Sequence, residues 1–160
     1  MCFALSSYRY DYANSLPTRY EMPDPRLIMY HKHNTSARLR FLKLPYGGVC
    51  GFIPLPTLSQ LLDEKPDSTV EVHPAAFVRD AEQRLGILPD SLEAEGEFKA
   101  YVDVPDGTVQ VFLARFTSID PPFDMARSQD AEFIDLPQAR NIPQVELELL
   151  RKAYDTVMSG

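Results

Sequence analysis

The sequence has few basic residues: Lys and Arg together number 16, against 23 Asp and Glu, for a formal net charge of -7 at pH 7. Binding to nucleic-acid phosphates requires clustered Lys and Arg, so no nucleic-acid partner is expected. The sequence has no apolar run of about 18 residues and no basic segment before a short apolar one, which argues against a membrane partner and a leader peptide. We therefore expect a cytoplasmic protein.

Cysteine and glycine are also scarce. Two cysteines, Cys2 and Cys50, are too few for a disulfide framework or a cysteine-rich metal cluster, and the apolar neighbours of Cys50 predict a buried, reduced thiol. Seven glycines against 14 prolines indicate stiff connections. With 160 residues, of which 44% are hydrophobic, the chain is expected to form a single domain over 1–160.

The common nucleotide-binding and catalytic motifs are missing. Gly47 and Gly48 are not followed by the Lys-Ser/Thr ending of a P-loop, and no G-x-G-x-x-G is present. His31 and His33 have no third ligand nearby, so we expect them to be exposed. The arm over 1–25 is rich in tyrosine and proline. Its tyrosines could stack a nucleobase, bury a homodimer contact or pack at a sheet edge, and the sequence leaves these alternatives open.

Periodicity predicts an α/β (α+β) fold in which helices cover a mixed sheet. Apolar alternation predicts strands over 26–31, 38–44, 96–104, 108–117 and 132–136. The first two strands form an antiparallel hairpin, and the turn at 105–107 joins the third to the fourth. A helical turn is expected over 58–64 and a loop over 120–129. One helix begins at Pro74 and stops at Gly86, and a second begins at Pro143.

The segment 71–87, which contains the first of these helices, carries Glu71, then Arg79 and Asp80 after seven intervening residues, and Gly86 and Ile87 at its end. This pattern resembles the Nudix box of pyrophosphohydrolases, G-x5-E-x7-R-E-U-x-E-E-x-G-U with U aliphatic. Glu71 matches the first glutamate, Arg79 matches the arginine at the correct separation, and Asp80 stands at the next glutamate. The aliphatic and glycine positions are filled by Ala81, Gly86 and Ile87. The resemblance implies a Nudix-like α/β/α sandwich, a nucleotide-like small molecule as ligand, and Mg²⁺ or Mn²⁺ as cofactor if the protein is active.

The segment departs from the box where the family holds its metal. Gln83 and Arg84 replace the two adjacent glutamates, and Lys65 stands at the leading glycine. Hard cations require oxygen ligands, preferably carboxylates, and a cation at residue 84 repels them. Asp80 and Arg84 share one helix face at i, i+4, so we expect an ordinary salt bridge. Glu82 is one residue off register, so it points about 100° away around the helix.

Three interpretations follow for this helix. It is structural, with its arginines paired to neighbouring carboxylates, or it retains weak hydrolysis, or it binds phosphate without cleaving it. Hydrolysis would make Glu71 and Asp80 metal ligands or bases, with Arg79 holding Glu71. A further metal ligand would come from Glu82, Glu95 or Glu97.

In the binding interpretation, the Arg84 guanidinium replaces the charge of the metal and grips phosphate bidentately. Gln83 and His73 are then the additional candidate ligand contacts. The sequence therefore predicts a divergent pyrophosphohydrolase of nucleoside-diphosphate-linked compounds, or alternatively a catalytically inactive nucleotide-binding, regulatory or protein-interaction module.

Overall fold

The computed structural model describes residues 24–66 and 72–159, and in this part of the chain seven strands form one mixed sheet. The strands are β1 (Arg26–Lys32), β2 (Leu39–Lys43), β3 (Gln60–Leu62), β4 (Leu92–Ala94), β5 (Ala100–Val104), β6 (Gly107–Phe116) and β7 (Glu132–Ile134). The helices are α1 (Ala75–Leu85), α2 (Phe123–Ser128) and α3 (Gln144–Ser159), and a 3-10 segment (Leu136–Asn141) precedes α3.

The sheet is built around the parallel pair of β1 and β6. The strand order is β3-β5-β6-β1-β2-β7, and β4 pairs with β6 beside this path. Ile28 lies opposite Leu113 and Met29 opposite Ala114, and all four side chains are buried. Parallel strands that are covered on both faces have nearly continuous apolar sequences, and both of these strands show this pattern.

Alternate residues of these strands pack into two separate apolar layers. On one face, Ile28 belongs to a cluster with Leu149 and Leu150 of α3. On the other, Met29 belongs to a cluster with Ala81 and Leu85 of α1. The predicted α/β/α sandwich with a mixed sheet is therefore confirmed.

The strongest local signals hold in the structure. The first hairpin forms, with Tyr30 opposite Phe41. Helix α1 follows Pro74 and ends at Gly86, whose φ of 69° is left-handed and whose N–H donates to Gln83 O. Glycine tolerates this backbone conformation without the steric cost of a Cβ. Cys50 is a buried free thiol, as expected.

Three local predictions are wrong, because contacts with distant parts of the chain determine the structure at these positions. The segment 58–64 contains strand β3 rather than a helical turn, since Leu61 pairs with Val102 of β5. The segment 120–129 contains α2, which buries Ala126 against the sheet. His31 is fully buried, and its Nε2 lies 2.9 Å from the Ser118 carbonyl oxygen.

Most of the N-terminal arm lies outside the described residues, so the possible homodimer contact of its tyrosines remains a prediction. Among the helices of the described residues, none has the length and apolar character that crossing a membrane requires.

Candidate functional site

A cavity of ≈ 500 Å³ opens between α1 and the chain that enters β1. Phe77, Asp80 and Arg84 form the α1 wall of this cavity, which we call the Arg84 cavity. Residues 51–53 form a second wall, and Arg26 also lines the cavity. The cavity has the size of a small-molecule site, since such sites usually measure about 300–1,000 Å³.

Arg84 is held at this cavity by two contacts. Its Nε lies 3.0 Å from Oδ2 of Asp80, one helical turn away, so the predicted i, i+4 pair is present. Its guanidinium carbon lies 5.0 Å from the centroid of the Phe52 ring, within the range of a cation–π contact. Both side chains of the ion pair are 57% exposed, so the pair is open to solvent. The pair with Asp80 uses Nε, which carries one of the five N–H donors of the guanidinium.

The wall over 51–53 is fixed by Arg26. The Arg26 Nη1 atom donates to Ile53 O at 2.5 Å and to Cys50 O at 3.4 Å. Gly51 N donates to Leu27 O at 3.0 Å, and its φ of +83° is left-handed. A Cβ at Gly51 would lie 2.9 Å from Arg26 Cδ, so any larger residue would disturb the side chain that holds the wall.

A buried glutamate of α3 anchors the residues just before this wall, and sequence reasoning missed it. Glu146 is 0% exposed, and its Oε1 accepts from Val49 N at 2.7 Å, Cys50 N at 2.9 Å and the Tyr46 hydroxyl at 3.1 Å. Burial and the nearby Glu146 carboxylate raise the pKa of the Tyr46 hydroxyl and of the Cys50 thiol, so both stay protonated at neutral pH. The thiol is therefore an inert part of this network.

No sequence signal marked Glu146. An acidic residue in the first turn of a helix is common because it complements the helix dipole. The residues that Glu146 holds lie 96 and 97 positions away in the chain. Only the fold brings them together.

The structure brings two of the predicted site residues, Asp80 and Arg84, to the cavity. Arg79 and Gln83 are exposed on α1 and are not among the residues that line it. Glu71, the proposed partner of Arg79, lies outside the described residues.

The remaining two candidates point elsewhere. Glu82 is only 5% exposed, and its Oε2 accepts from Leu92 N at 3.1 Å, which directs it towards β4 rather than towards Asp80. His73 accepts from Ala75 N at 3.2 Å through Nδ1 and lines a separate, smaller cavity.

The described residues at this helix do not fit a divalent cation. Magnesium and manganese favour several oxygen ligands, with carboxylates among them. Asp80 is neutralised by Arg84, and Glu82 is engaged with the backbone of β4. In the ranges 24–66 and 72–159, no group of three His, Cys, Asp or Glu side chains is arranged to hold a metal ion. A guanidinium at this position suits an anion instead.

Comparison with known proteins supports the fold. No protein-family model matches the sequence, and no curated protein is significantly similar to it. The structure is similar to the crystal structure of Ap4A hydrolase from C. elegans, with a TM-score of 0.51 and 18% sequence identity over 84% of this chain and 96% of that one. It also matches NrtR from Shewanella oneidensis over 84% of this chain and 62% of that one, at 12% identity. The TM-score of that match is 0.47. Both are Nudix-family proteins.

Proposed function

We propose that this chain, which has a Nudix fold, binds the phosphate groups of a nucleotide-like small molecule in the Arg84 cavity without hydrolysing them. The observation that carries the proposal is the position of the Arg84 guanidinium. It stands on the cavity wall, where it contacts Asp80 and Phe52. The resemblance to the Nudix box aligns this residue with a metal-binding glutamate of the family.

The chemistry of the guanidinium supports phosphate as the bound group. Arginine presents its N–H donors in a planar fork that matches two phosphate oxygens. Contact with Asp80 and Phe52 restricts the Arg84 side chain before a ligand arrives, which lowers the conformational entropy lost on binding. The chain is acidic overall, so a local cation is required to attract an anion to this surface.

The apolar parts of the same cavity support a ligand with a ring system. Phe77 of α1 and Ile53 both line the cavity, and Ile53 is 63% exposed. An aromatic or sugar ring attached to the phosphates would cover this apolar surface. A nucleotide carries both chemical groups.

Calorimetry with pyrophosphate and ADP in the presence of EDTA tests this proposal. We expect both compounds to bind the parent protein without metal and Arg84→Ala to bind them at least about tenfold more weakly, since a hydrogen bond to a charged group contributes about 1.5–3 kcal/mol. Arg151→Ala is the control, because Arg151 is exposed on α3 and does not line the cavity. Equal affinity of Arg84→Ala and the parent for both compounds would rule out the proposal.

A metal-dependent pyrophosphohydrolase is the second candidate function. It is favoured by the Asp80 carboxylate, which lies on the cavity, and by the fold shared with a protein named as an Ap4A hydrolase. Titration with Mn²⁺ separates the two candidates. Binding of Mn²⁺ to the parent, abolished by Asp80→Ala, would support hydrolysis over simple binding.

The variant Arg84→Glu tests the alignment of 71–87 with the Nudix box. It restores a carboxylate at the box position and removes the repelling cation, so we expect it to bind Mn²⁺ at least about tenfold more tightly than the parent. An affinity no better than that of the parent would show that the alignment is wrong.

A further inference from the structure

The described part of the chain begins at the Arg84 cavity. Asp24, Pro25 and Arg26 all line this cavity, and Asp24 is exposed. Residues 1–23 lie outside the described residues and are joined to the fold at this point. A group that is tethered a few residues from a site has an effective concentration of about millimolar, so even a weak contact is well populated. The Arg84 cavity is therefore within reach of the residues that directly precede Asp24.

The Arg84 guanidinium suits a carboxylate as well as a phosphate. Its pair with Asp80 uses Nε, and the other N–H donors of a guanidinium lie on its two terminal nitrogens. Carboxylates and phosphates both match this planar fork with two oxygens. The Arg84 side chain is 57% exposed, so it is open to a second anion. A carboxylate that is tethered beside the cavity would therefore compete for the place that a phosphate takes.

The sequence just before Asp24 has the chemistry that this cavity requires. Glu21 is the first acidic residue upstream of Asp24, and three residues of extended chain span about 10 Å. Tyr20 and Met22 stand on either side of Glu21. The cavity offers them apolar surface, since Ile53 lines it and is 63% exposed. Tyrosine and methionine side chains cover such surface well, so the segment 20–22 combines one carboxylate with two matching apolar groups.

We propose that the segment 20–22 docks in the Arg84 cavity of its own chain when no ligand is bound, with the Glu21 carboxylate accepting from the Arg84 guanidinium. The docked segment then acts as an internal competitor of phosphate. If it occupies the cavity in about nine molecules out of ten, the apparent affinity for phosphate falls about tenfold. This regulatory consequence rests on the proposed function, whereas the docking requires only the guanidinium and the apolar wall.

Limited digestion of the full chain with trypsin tests the docking without any ligand. Trypsin cleaves after Arg19, directly before the segment 20–22, and docking should slow this cleavage because a protease requires an accessible chain. We expect Arg84→Ala to speed cleavage after Arg19 at least about threefold in the parent, but to leave its rate unchanged in Glu21→Gln, where the docking contact is already lost. Cleavage after Arg9 in the same digests is the internal control. Equal effects of Arg84→Ala in the two backgrounds would overturn the proposal.

Calorimetry with pyrophosphate in EDTA tests the competition. We expect Glu21→Gln to bind pyrophosphate about three- to tenfold more tightly than the parent, because the internal competitor is lost. Asp11→Asn removes the same charge from the same arm and is the control, with an affinity within about twofold of the parent. Equal affinity of Glu21→Gln and the parent would overturn the competition. If neither protein binds pyrophosphate, the proposed function fails, and the trypsin digests still decide whether the segment docks.

Discussion

Two acidic side chains, one on each side of the sheet, use their charge in opposite ways. Glu146 of α3 is 0% exposed, and one of its oxygens accepts hydrogen bonds from two backbone N–H groups and a tyrosine hydroxyl. Asp80 of α1 has a side chain that is 57% exposed, and it pairs with Arg84. The buried carboxylate holds the backbone, while the exposed one orients a side chain at the cavity.

The two regions are connected through a short piece of chain. Glu146 fixes the N–H groups of Val49 and Cys50, and the next residues, 51–53, form the wall that carries Phe52 under Arg84. Hydrogen bonds to charged groups stabilise by about 1.5–3 kcal/mol, whereas exposed i, i+4 pairs contribute about 0.3–0.5 kcal/mol. The α3 side therefore supplies the stability on which the geometry of the α1 side depends.

The largest effect on stability is expected from Glu146→Leu. This change leaves the Val49 N–H buried without its acceptor and leaves the Cys50 N–H only the Tyr46 hydroxyl oxygen at 3.0 Å. We expect the free energy of unfolding to fall by about 3–4 kcal/mol. Urea denaturation measures the change. Glu148→Leu, at an exposed position of the same helix, is the control and should stay within about 0.5 kcal/mol of the parent. Equal stability of the two variants would mean that Glu146 does not anchor the loop.

A smaller loss of stability is expected from Gly48→Ala. A Cβ at Gly48 would lie 2.4 Å from both Glu146 Oε1 and Tyr46 Cε1, so one of these hydrogen-bonded side chains must shift. We expect a loss of about 1–3 kcal/mol, typical of overpacking. Gly96→Ala is the control because nothing lies within 4 Å of a Cβ at Gly96. A thermal melt of both variants decides the point, and a Gly48→Ala melt that matches the Gly96→Ala melt would contradict the close approach.

The sequence predicted the elements that carry strong local signals. Helix α1 has Pro74 before it and Gly86 after it, and its Asp80–Arg84 pair follows from i, i+4 geometry alone. Strand β3 has three residues, too few to show a period, and exists because it pairs with β5. Helix α2 has six residues, which are also too few to give a clear periodic pattern in the sequence.

The site residues that the sequence did not predict depend on contacts with residues far away in the chain. Glu146 is a polar residue that a sequence pattern places on a surface, and the fold buries it. His31 was missed for the same reason, since the Ser118 carbonyl that it contacts is 87 positions away. Burial of a polar side chain is a property of the fold, and periodicity does not report it.

The smallest effect on stability is expected from Asp80→Asn, which tests the exposed side of the comparison. Asparagine keeps the shape of the side chain and can still accept from Arg84 Nε, so the free energy of unfolding should change by no more than about 0.5 kcal/mol. Ligand binding should respond more strongly, because the substitution removes a negative charge beside the proposed phosphate site. We expect pyrophosphate to bind about two- to tenfold more tightly, with the gain shrinking at high salt. Calorimetry at two ionic strengths measures the change in pyrophosphate affinity. If Asp80→Asn weakened pyrophosphate binding instead, the ion pair with Asp80 would be what makes Arg84 competent to bind phosphate, and fixing the guanidinium would outweigh charge repulsion at this site.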